Sequence, residues 1–315
     1  MRILVTGATG FAGKHLIQLA AFRRHSVVGT HVSKSPHTPI GNCSLARCDL
    51  RNSSAIRELV AQVRPDRVYH LAARSSVTQS YGNARAVYET NFWGTYNLLE
   101  ALRENAPKAR VLIVGSGHCY GFVRPRDLPV AETHALSSHS PYATSKAAAD
   151  LLGYQFFAGH EMHIVRARPF NHTGPGQTAA FVCSDFARQV AAIELGMAVP
   201  EIKVGSLSVQ RDFSDVRDVV RAYHLLLERG TAGEAYNIAS GRSYSIGFIL
   251  RTLVSFCTRR VKVVVTNDRL RHVEERKLFG NTTKLRRSTN WEPRYRIEET
   301  LHDLIEYWKE ELGNS

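Results

Sequence analysis

The opening stretch of the chain places the tightest limit on its fold. Ile3-Leu4-Val5 is a short, wholly apolar run, the pattern of a strand buried on both faces of a parallel sheet. It leads directly into Thr6-Gly7-Ala8-Thr9-Gly10-Phe11-Ala12-Gly13 and then into a helical pattern through Leu16, Ile17, Leu19 and Ala20. Strand, glycine-rich turn and helix, in that order, make a dinucleotide-binding context. Glycine lets the backbone turn tightly and approach a pyrophosphate at the start of the helix. The spacing Gly7, Gly10, Gly13 is more open than G-x-G-x-x-G.

Which dinucleotide is read from the second strand, Ser26 to His31. An NAD site ordinarily carries an Asp or Glu near the end of that strand for the ribose hydroxyls. Here the positions are Gly29, Thr30, His31, Val32, Ser33 and Lys34, with no carboxylate and a cation nearby. NADP and NAD are both accommodated, with NADPH preferred. Further on, Asp49, after a short strand, either holds the adenine edge or caps the helix expected at Ala55 to Val63.

Three more buried strands follow: Arg67 to Ala73, Val111 to Gly115 and Met162 to Ala167. His70 reads as a structural histidine within the first of them. Between the first two runs a long helical pattern, Ala84 to Glu104, with Val87, Asn91, Gly94, Leu98 and Leu102 at spacings of three and four. Asn91 interrupts that apolar stripe, so it serves a buried polar network or faces a site. Strand ends such as Ser116-Gly117-His118-Cys119 form the ligand crevice of open α/β sheets.

Ser140-Pro141-Tyr142-Ala143-Thr144-Ser145-Lys146 supplies the chemistry. Ser140 and Pro141 read as N-cap and first helical position. Tyr142 and Lys146 then share one helical face. An ammonium beside a phenol favours the phenolate, which is expected to lower the tyrosine from its usual pKa of about 10 and make it a proton donor or acceptor. Ser116 would complete the group by hydrogen-bonding a substrate oxygen. Arg168 to Gln177, rich in Pro and Gly, reads as an irregular substrate loop. Lys203, Arg211, Arg217 and Arg271 suit a phosphate-bearing ligand.

Composition narrows the class. At 315 residues, 43% apolar and 22% charged, the chain supports a large core. No apolar run approaches the roughly 18 residues of a membrane span, and Met1-Arg2 runs into the first strand without a signal layout, so a cytoplasmic protein without membrane partners is expected. A surplus of 41 Lys+Arg over 28 Asp+Glu fits an anionic ligand such as a nucleotide. The cations lie in scattered pairs, such as Arg259-Arg260, rather than in runs with aromatic residues, so nucleic acid is not the expected partner. Five scattered cysteines without C-x-x-C indicate neither a disulfide framework nor a zinc knuckle, and Cys119 reads as a packed side chain rather than a nucleophile. His160-Glu161-Met162-His163 spans a helix end and a strand start, so its histidines share no face and no metal is expected.

Taken together, the ordered motifs Gly7-x-x-Gly10-x-x-Gly13, Asp49-Leu50, His70-Leu71-Ala72-Ala73, Asn91-x-x-Gly94-Thr95, Ser116, Tyr142-x-x-x-Lys146 and Arg168-Pro169-Phe170-Asn171 resemble the extended short-chain dehydrogenase/reductase family over nearly the whole chain. The C-terminal segments, Arg168 to Gln177, Ser184 to Ala187, Val204 to Leu207 and Arg211 to Val219, are similar to its GDP-sugar branch of GDP-6-deoxy-D-mannose synthases (GDP-4-keto-6-deoxy-D-mannose reductases) and GDP-mannose 4,6-dehydratases. The resemblance implies an α/β fold: a Rossmann-type doubly wound parallel sheet with a smaller C-terminal α+β substrate-binding domain. Residues 1–168, with contributions from about 205–240, would bind NAD(P); residues 169–204 and 241–315 would bind the nucleotide sugar.

By the same resemblance, Gly7, Thr9, Gly10, Phe11, Ala12, Gly13, His31, Ser33, Lys34, Asp49, Leu50, Leu71, Ala72, Ala73, Asn91, Val114 and Pro169 would surround the cofactor together with Tyr142 and Lys146. Ser75, Ser116, Gly117, His118, Asn171, Phe181, Val182, Lys203, Val204, Arg211 and Arg271 would approach a GDP-sugar, and Glu274 the guanosine ribose. A homodimer through an intersubunit four-helix bundle is implied as well. The dehydratases place a carboxylate just after the catalytic hydroxyl to take the C5 proton, and Gly117, His118 and Cys119 offer none. The expected activity is therefore hydride transfer to the C4 ketone of a GDP-4-keto-6-deoxy-hexose. The alternatives are a GDP-mannose 4,6-dehydratase using His118 as base, another nucleotide-sugar epimerase or reductase, and a non-catalytic NAD(P)-binding scaffold.

Overall fold

The computed structural model describes residues 1–19, 22, 24–33, 40–266 and 277–314. The strands are β1 (Arg2–Thr6), β2 (Ser26–His31), β3 (Cys43–Arg47), β4 (Arg67–His70), β5 (Arg110–Val114), β6 (Ile164–Pro169), β7 (Asn171–Thr173), β8 (Glu201–Val204), β9 (Gln210–Arg211), β10 (Phe213–Asp215), β11 (Ala235–Ile238), β12 (Tyr244–Ser245), β13 (Lys262–Val265) and β14 (Lys277–Leu278). The helices are α1 (Phe11–Ile17), α2 (Ser53–Val63), α3 (Val77–Gly82), α4 (Ala84–Tyr88), α5 (Gly94–Asn105), α6 (Pro141–His160), α7 (Val182–Glu194), α8 (Val216–Arg229), α9 (Ile246–Ser255), α10 (Thr283–Thr289) and α11 (Ile297–Gly313).

Seven strands form one parallel sheet in the order β11-β6-β5-β4-β1-β2-β3. Alternation along each strand explains why these runs are apolar throughout. Ile3 and Val5 of β1 point to one face, where α1, α8 and the fully buried Trp291 cover them. Leu4 points to the other, against α2, α5 and α6. A parallel sheet covered on both faces has no polar side to display. The order reverses at β1, whose neighbours are β2 and β4, and ligands of such sheets bind beyond the strand ends at that point. A separate core joins α7, α9 and α11 to β8, with Phe186, Val190, Leu253 and Leu301 buried at its centre. No helix among the described residues is long and apolar enough to cross a membrane.

Two expectations need correction. Arg168 to Gln177 is not irregular throughout: Arg168 and Pro169 end β6, and Asn171–Thr173 is a strand, β7, paired in parallel with β10. Its partner lies some forty residues ahead, so local Pro and Gly content concealed it. The long helix from Ala84 is also not uniform, because Glu89–Trp93 is a π-helical turn between α4 and α5. Such turns redirect the side chains they carry and mark functional positions. Here the turn carries Asn91, which is buried.

Helix α6 starts as the sequence predicts: Ser140 accepts a hydrogen bond from the Ala143 amide, and Pro141 occupies the first turn. Farther along it, Asp150 is buried between two cations of β6. Arg168 donates to it through Nε (3.0 Å) and Nη2 (2.7 Å), and Arg166 through Nη1 (2.8 Å). Removing one member of a buried pair leaves an uncompensated charge. Asp150→Ala is therefore expected to destabilise the protein by about 3–5 kcal/mol, read as a lowered denaturation midpoint in urea, while an exposed pair such as Arg85–Glu89 changes it by less than about 1 kcal/mol when broken.

Candidate active site

The glycine turn sits where β1 ends. Gly7 has φ +70°, a conformation L side chains rarely adopt, and a Cβ there would lie 2.8 Å from the Ala72 backbone. A Cβ on Gly13 would stand 2.4 Å from the Gly7 carbonyl, so that glycine lets α1 pack down on the turn. Gly10, at the N-cap of α1, is the exposed member and would meet only the Gly7 oxygen, at 3.2 Å. Backbone can therefore be approached at Gly10, and the amides of Phe11, Ala12 and Gly13 have no intrahelical partner one turn earlier. This cradle fits a dinucleotide pyrophosphate. Thr9, half-buried, completes the turn.

Around that turn, Leu71, Ala72 and Ala73 follow the end of β4 as half-buried backbone, and the Ala72 amide donates to Thr6 Oγ1. His31, the last residue of β2, and Ser33 just beyond it are half-buried; Lys34 lies outside the described residues. Asp49 does not cap α2. Asn52 does, accepting from the Ala55 amide, while Asp49 forms a two-pronged pair with Arg51 that holds its carboxyl below the usual range. Leu50 is buried beside it. His70 is structural: the Thr95 hydroxyl donates to the Asn91 carbonyl, so it accepts from His70 Nε2, and Thr6 donates to Nδ1. Burial, then the charge of Lys146, pushes this imidazole down to about 3.

Asn91 resolves into a brace. Its Oδ1 accepts from the Arg74 amide (2.8 Å), and its Nδ2 donates to the Arg74 carbonyl (3.1 Å) and to Ser145 Oγ (2.9 Å). It thus ties the segment after β4 to α6. Ser75, next in that segment, is exposed. Ser145 was not anticipated as a member of this group, although its place directly before Lys146 marks it.

The expected reacting group, Ser116, Tyr142 and Lys146, is brought together between the end of β5 and the start of α6. Lys146 is buried and donates from Nζ to the Val114 carbonyl at 2.5 Å. Ser116 caps the short 3-10 turn Gly117–Tyr120, accepting from the His118 amide at 3.2 Å. Tyr142 is buried, touches the Ser116 hydroxyl and has the His118 ring edge-on at 6.4 Å. Its pKa shifts opposite to the expectation. Burial pushes the phenol up to about 12, and the Ser116 hydrogen bond only partly opposes it. The Lys146 ammonium is spent on the Val114 carbonyl, and desolvation sets the direction of the Tyr142 shift. Cys119 is likewise buried, its thiol pushed up to about 12, and it is no nucleophile at neutral pH.

Next to Tyr142, a cleft is lined by Gly117, His118, Phe170, Asn171, Arg211, Asp212 and Leu278. Four of these were anticipated from the sequence; Phe170, Asp212 and Leu278 were not named as site residues. Pro169 is buried at the end of β6 just before them. Arg211, on β9 between β12 and β14, is 7% exposed. Phe181 and Val182 open α7, Lys203 is exposed on β8, and the Val204 side chain is buried in the C-terminal core, leaving only its backbone for a ligand. Arg271 and Glu274 lie outside the described residues. Arg217 does not serve the cleft: it is paired with Asp215 and Asp303 and lies over the Tyr295 ring. Among the described residues no cluster of metal-ligating side chains occurs.

A seven-stranded Rossmann-type sheet, a glycine cradle at its reversal point and a Ser–Tyr–Lys group beyond β5 define an NAD(P)-dependent enzyme of the extended short-chain dehydrogenase/reductase class. Comparison with known proteins sharpens this. The family model for GDP-mannose 4,6 dehydratase matches residues 4–304. GDP-6-deoxy-D-mannose reductase of Pseudomonas aeruginosa is 34% identical, over 98% of this chain and 97% of that protein. Human GDP-mannose 4,6 dehydratase is 27% identical, over 96% and 90%. A solved structure of RMD from Pseudomonas aeruginosa complexed with NADPH matches with a TM-score of 0.86 at 32% identity, over 99% of this chain and all of that one. The chain belongs to the GDP-mannose 4,6 dehydratase family.

Lys146 gives this site a testable signature. Burial lowers its pKa to about 8, against 10.5 for the exposed group. Below pH 8 both folded and unfolded chains carry the charge, and the folded one bears the full cost of burying it. Between pH 8 and 10.5 the folded lysine is the first to lose its proton, and that cost fades. Lys146→Met is expected to stabilise the protein by on the order of 1–3 kcal/mol at pH 7. Thermal melts should show that gain shrinking as pH rises past 8.

Proposed function

We propose that this protein reduces the C4 ketone of a GDP-4-keto-6-deoxy-hexose, giving a GDP-D-rhamnose type product. One observation carries the reading: Tyr142 is a buried phenol that keeps its proton, pushed up to about 12, beside the Ser116 hydroxyl, with no carboxylate at Gly117, His118 or Cys119. A reductase needs a group that stays protonated until an alkoxide develops, then gives up its proton. Ser116, beside that phenol, holds the same oxygen. Lys146, fixed on the Val114 carbonyl, keeps a positive charge within the site. The relative named as a GDP-6-deoxy-D-mannose reductase supports the choice of substrate.

NAD(P)H, when bound, supplies the hydride. The turn Gly7–Gly13 would hold its pyrophosphate, Lys146 its nicotinamide ribose, and Asp49-Leu50 with Ala72 and Ala73 the adenosine side. NADPH is preferred, because no carboxylate stands at positions 30–34 to bind a free 2′-hydroxyl or repel a 2′-phosphate. The elements of 169–204 and 241–315 form the substrate-binding unit, with Asn171 and Arg211 of the cleft binding the nucleotide sugar, Arg211 through its diphosphate. The protein acts as a homodimer. Trp93 and Tyr96 on the π turn and α5, with Leu151 and Tyr154 on α6, leave an aromatic face exposed on two adjacent helices, as a four-helix bundle between copies would require.

The dehydratase reading rests on His118, whose ring stands at the edge of Tyr142 and would have to take the C5 proton. Net use of cofactor separates the two. With GDP-4-keto-6-deoxy-mannose and NADPH, the reductase consumes one NADPH per sugar, whereas GDP-mannose alone is left unchanged. Tyr142→Phe is expected to lower kcat by about 10²–10⁴-fold while the NADPH Kd, followed by its fluorescence, stays within about twofold. Near-normal turnover in that variant would refute the scheme.

A further inference from the structure

One hydrogen bond joins the helix that follows the glycine turn to the turn that follows β7, the strand carrying Asn171. His15, on the first helix after the turn, has its Nε2 2.8 Å from the Pro175 carbonyl. A carbonyl only accepts, so this nitrogen carries the proton and donates. His15 is half-buried, and burial lowers its pKa. Beside it, Phe11, whose amide belongs to the pyrophosphate cradle, meets the His15 ring edge-on at 5.5 Å. Phe11 also lies parallel to the His172 ring, at 6.0 Å and 7°. His172 is the middle residue of β7, and its Nδ1 donates to the Phe170 carbonyl at 3.0 Å.

From Pro175 the contacts run on toward the sugar side. The turn after β7 holds Gly174 and Gly176 at positive φ. Gln177, which closes it, donates to the His172 carbonyl (2.9 Å) and accepts from Thr173 Oγ1 (2.6 Å). The Gln177 carbonyl accepts from Ser184 Oγ of α7 at 2.5 Å, and Trp308 donates to that same hydroxyl at 2.9 Å. The turn thus has two ends in the proposed substrate unit, Asn171 on β7 and the start of α7, and one outside it, His15 on the cofactor helix.

We infer that His15 is a positioning residue that couples the two ligand sites. Ordering the glycine turn around a pyrophosphate fixes α1, and α1 fixes Pro175 through this hydrogen bond and β7 through the Phe11–His172 stack. The sugar-binding strand is then partly ordered before the sugar nucleotide arrives, so the second ligand has less to order. This inference rests on the reading of the cleft as a GDP-sugar site.

The test is a linkage measurement on the full chain. The Kd of GDP, as probe of the sugar-nucleotide site, is measured by calorimetry with and without saturating NADPH, in the wild type, His15→Leu and His15→Gln. The wild type is expected to bind GDP about three- to tenfold more tightly with NADPH present, the scale of one net hydrogen bond. His15→Leu should reduce that ratio to near one. His15→Gln, which keeps an amide donor, should restore at least half of it, and thermal melts of each variant confirm that it is folded. A folded Leu variant with undiminished coupling, or a Gln variant no better than Leu, would overturn the inference alone. A wild type that binds both probes without coupling would overturn it as well. Failure of the wild type to bind GDP at all would overturn the substrate reading and this inference with it.

Discussion

A single buried carboxylate holds the site together. Asp150 is reached by both Arg166 and Arg168, so β6 cannot slide against α6 without stranding charge in the core. Arg168 also donates to Tyr120 and to the Glu132 carbonyl, Tyr120 donates to Asn237, and Asn237 on β11 donates to the Val130 carbonyl. One network therefore fixes helix α6, the turn after Ser116 and the outermost strand of the sheet. Asp150 stands four residues after Lys146 and eight after Tyr142, so the clamp and the chemistry share one helical face.

The site works by burial more than by charge pairing. Desolvation raises the Tyr142 phenol to about 12 and lowers the Lys146 ammonium to about 8, so at pH 7 the phenol keeps its proton and the lysine its charge, held at a cost. For a proton donor that is the useful direction. The cost to stability is carried by the surroundings, where Asn91 ties Ser145 and the Arg74 backbone together and Ser140 caps the helix start. The π turn that aims Asn91 inward serves the same end.

What was legible in the sequence is what local chemistry decides. The glycine turn, the Ser140-Pro141 helix start and the apolar strands each depend on neighbours within a few residues, and their boundaries fall within two or three residues of the expected ones. What was hidden depends on distant partners. Strand β7 exists because β10 lies beside it, and Arg217 is occupied because Asp303 of the last helix reaches it. The direction of the Tyr142 shift needed the depth of burial, which spacing on a helix does not disclose. Asp150 had a visible signal, the recurrence of polar residues every four positions along α6, and Asp212 stood inside a quoted motif without being recognised as a wall of the cleft.

The most direct measurement follows an isotope. NADPH carrying deuterium at the transferable position would be supplied with GDP-4-keto-6-deoxy-mannose and the product examined by mass spectrometry and proton NMR. A reductase places one deuterium on the sugar C4 for each NADPH consumed. A product without label would contradict net reduction, and loss of water from GDP-mannose with the cofactor unchanged at the end would make the protein a dehydratase.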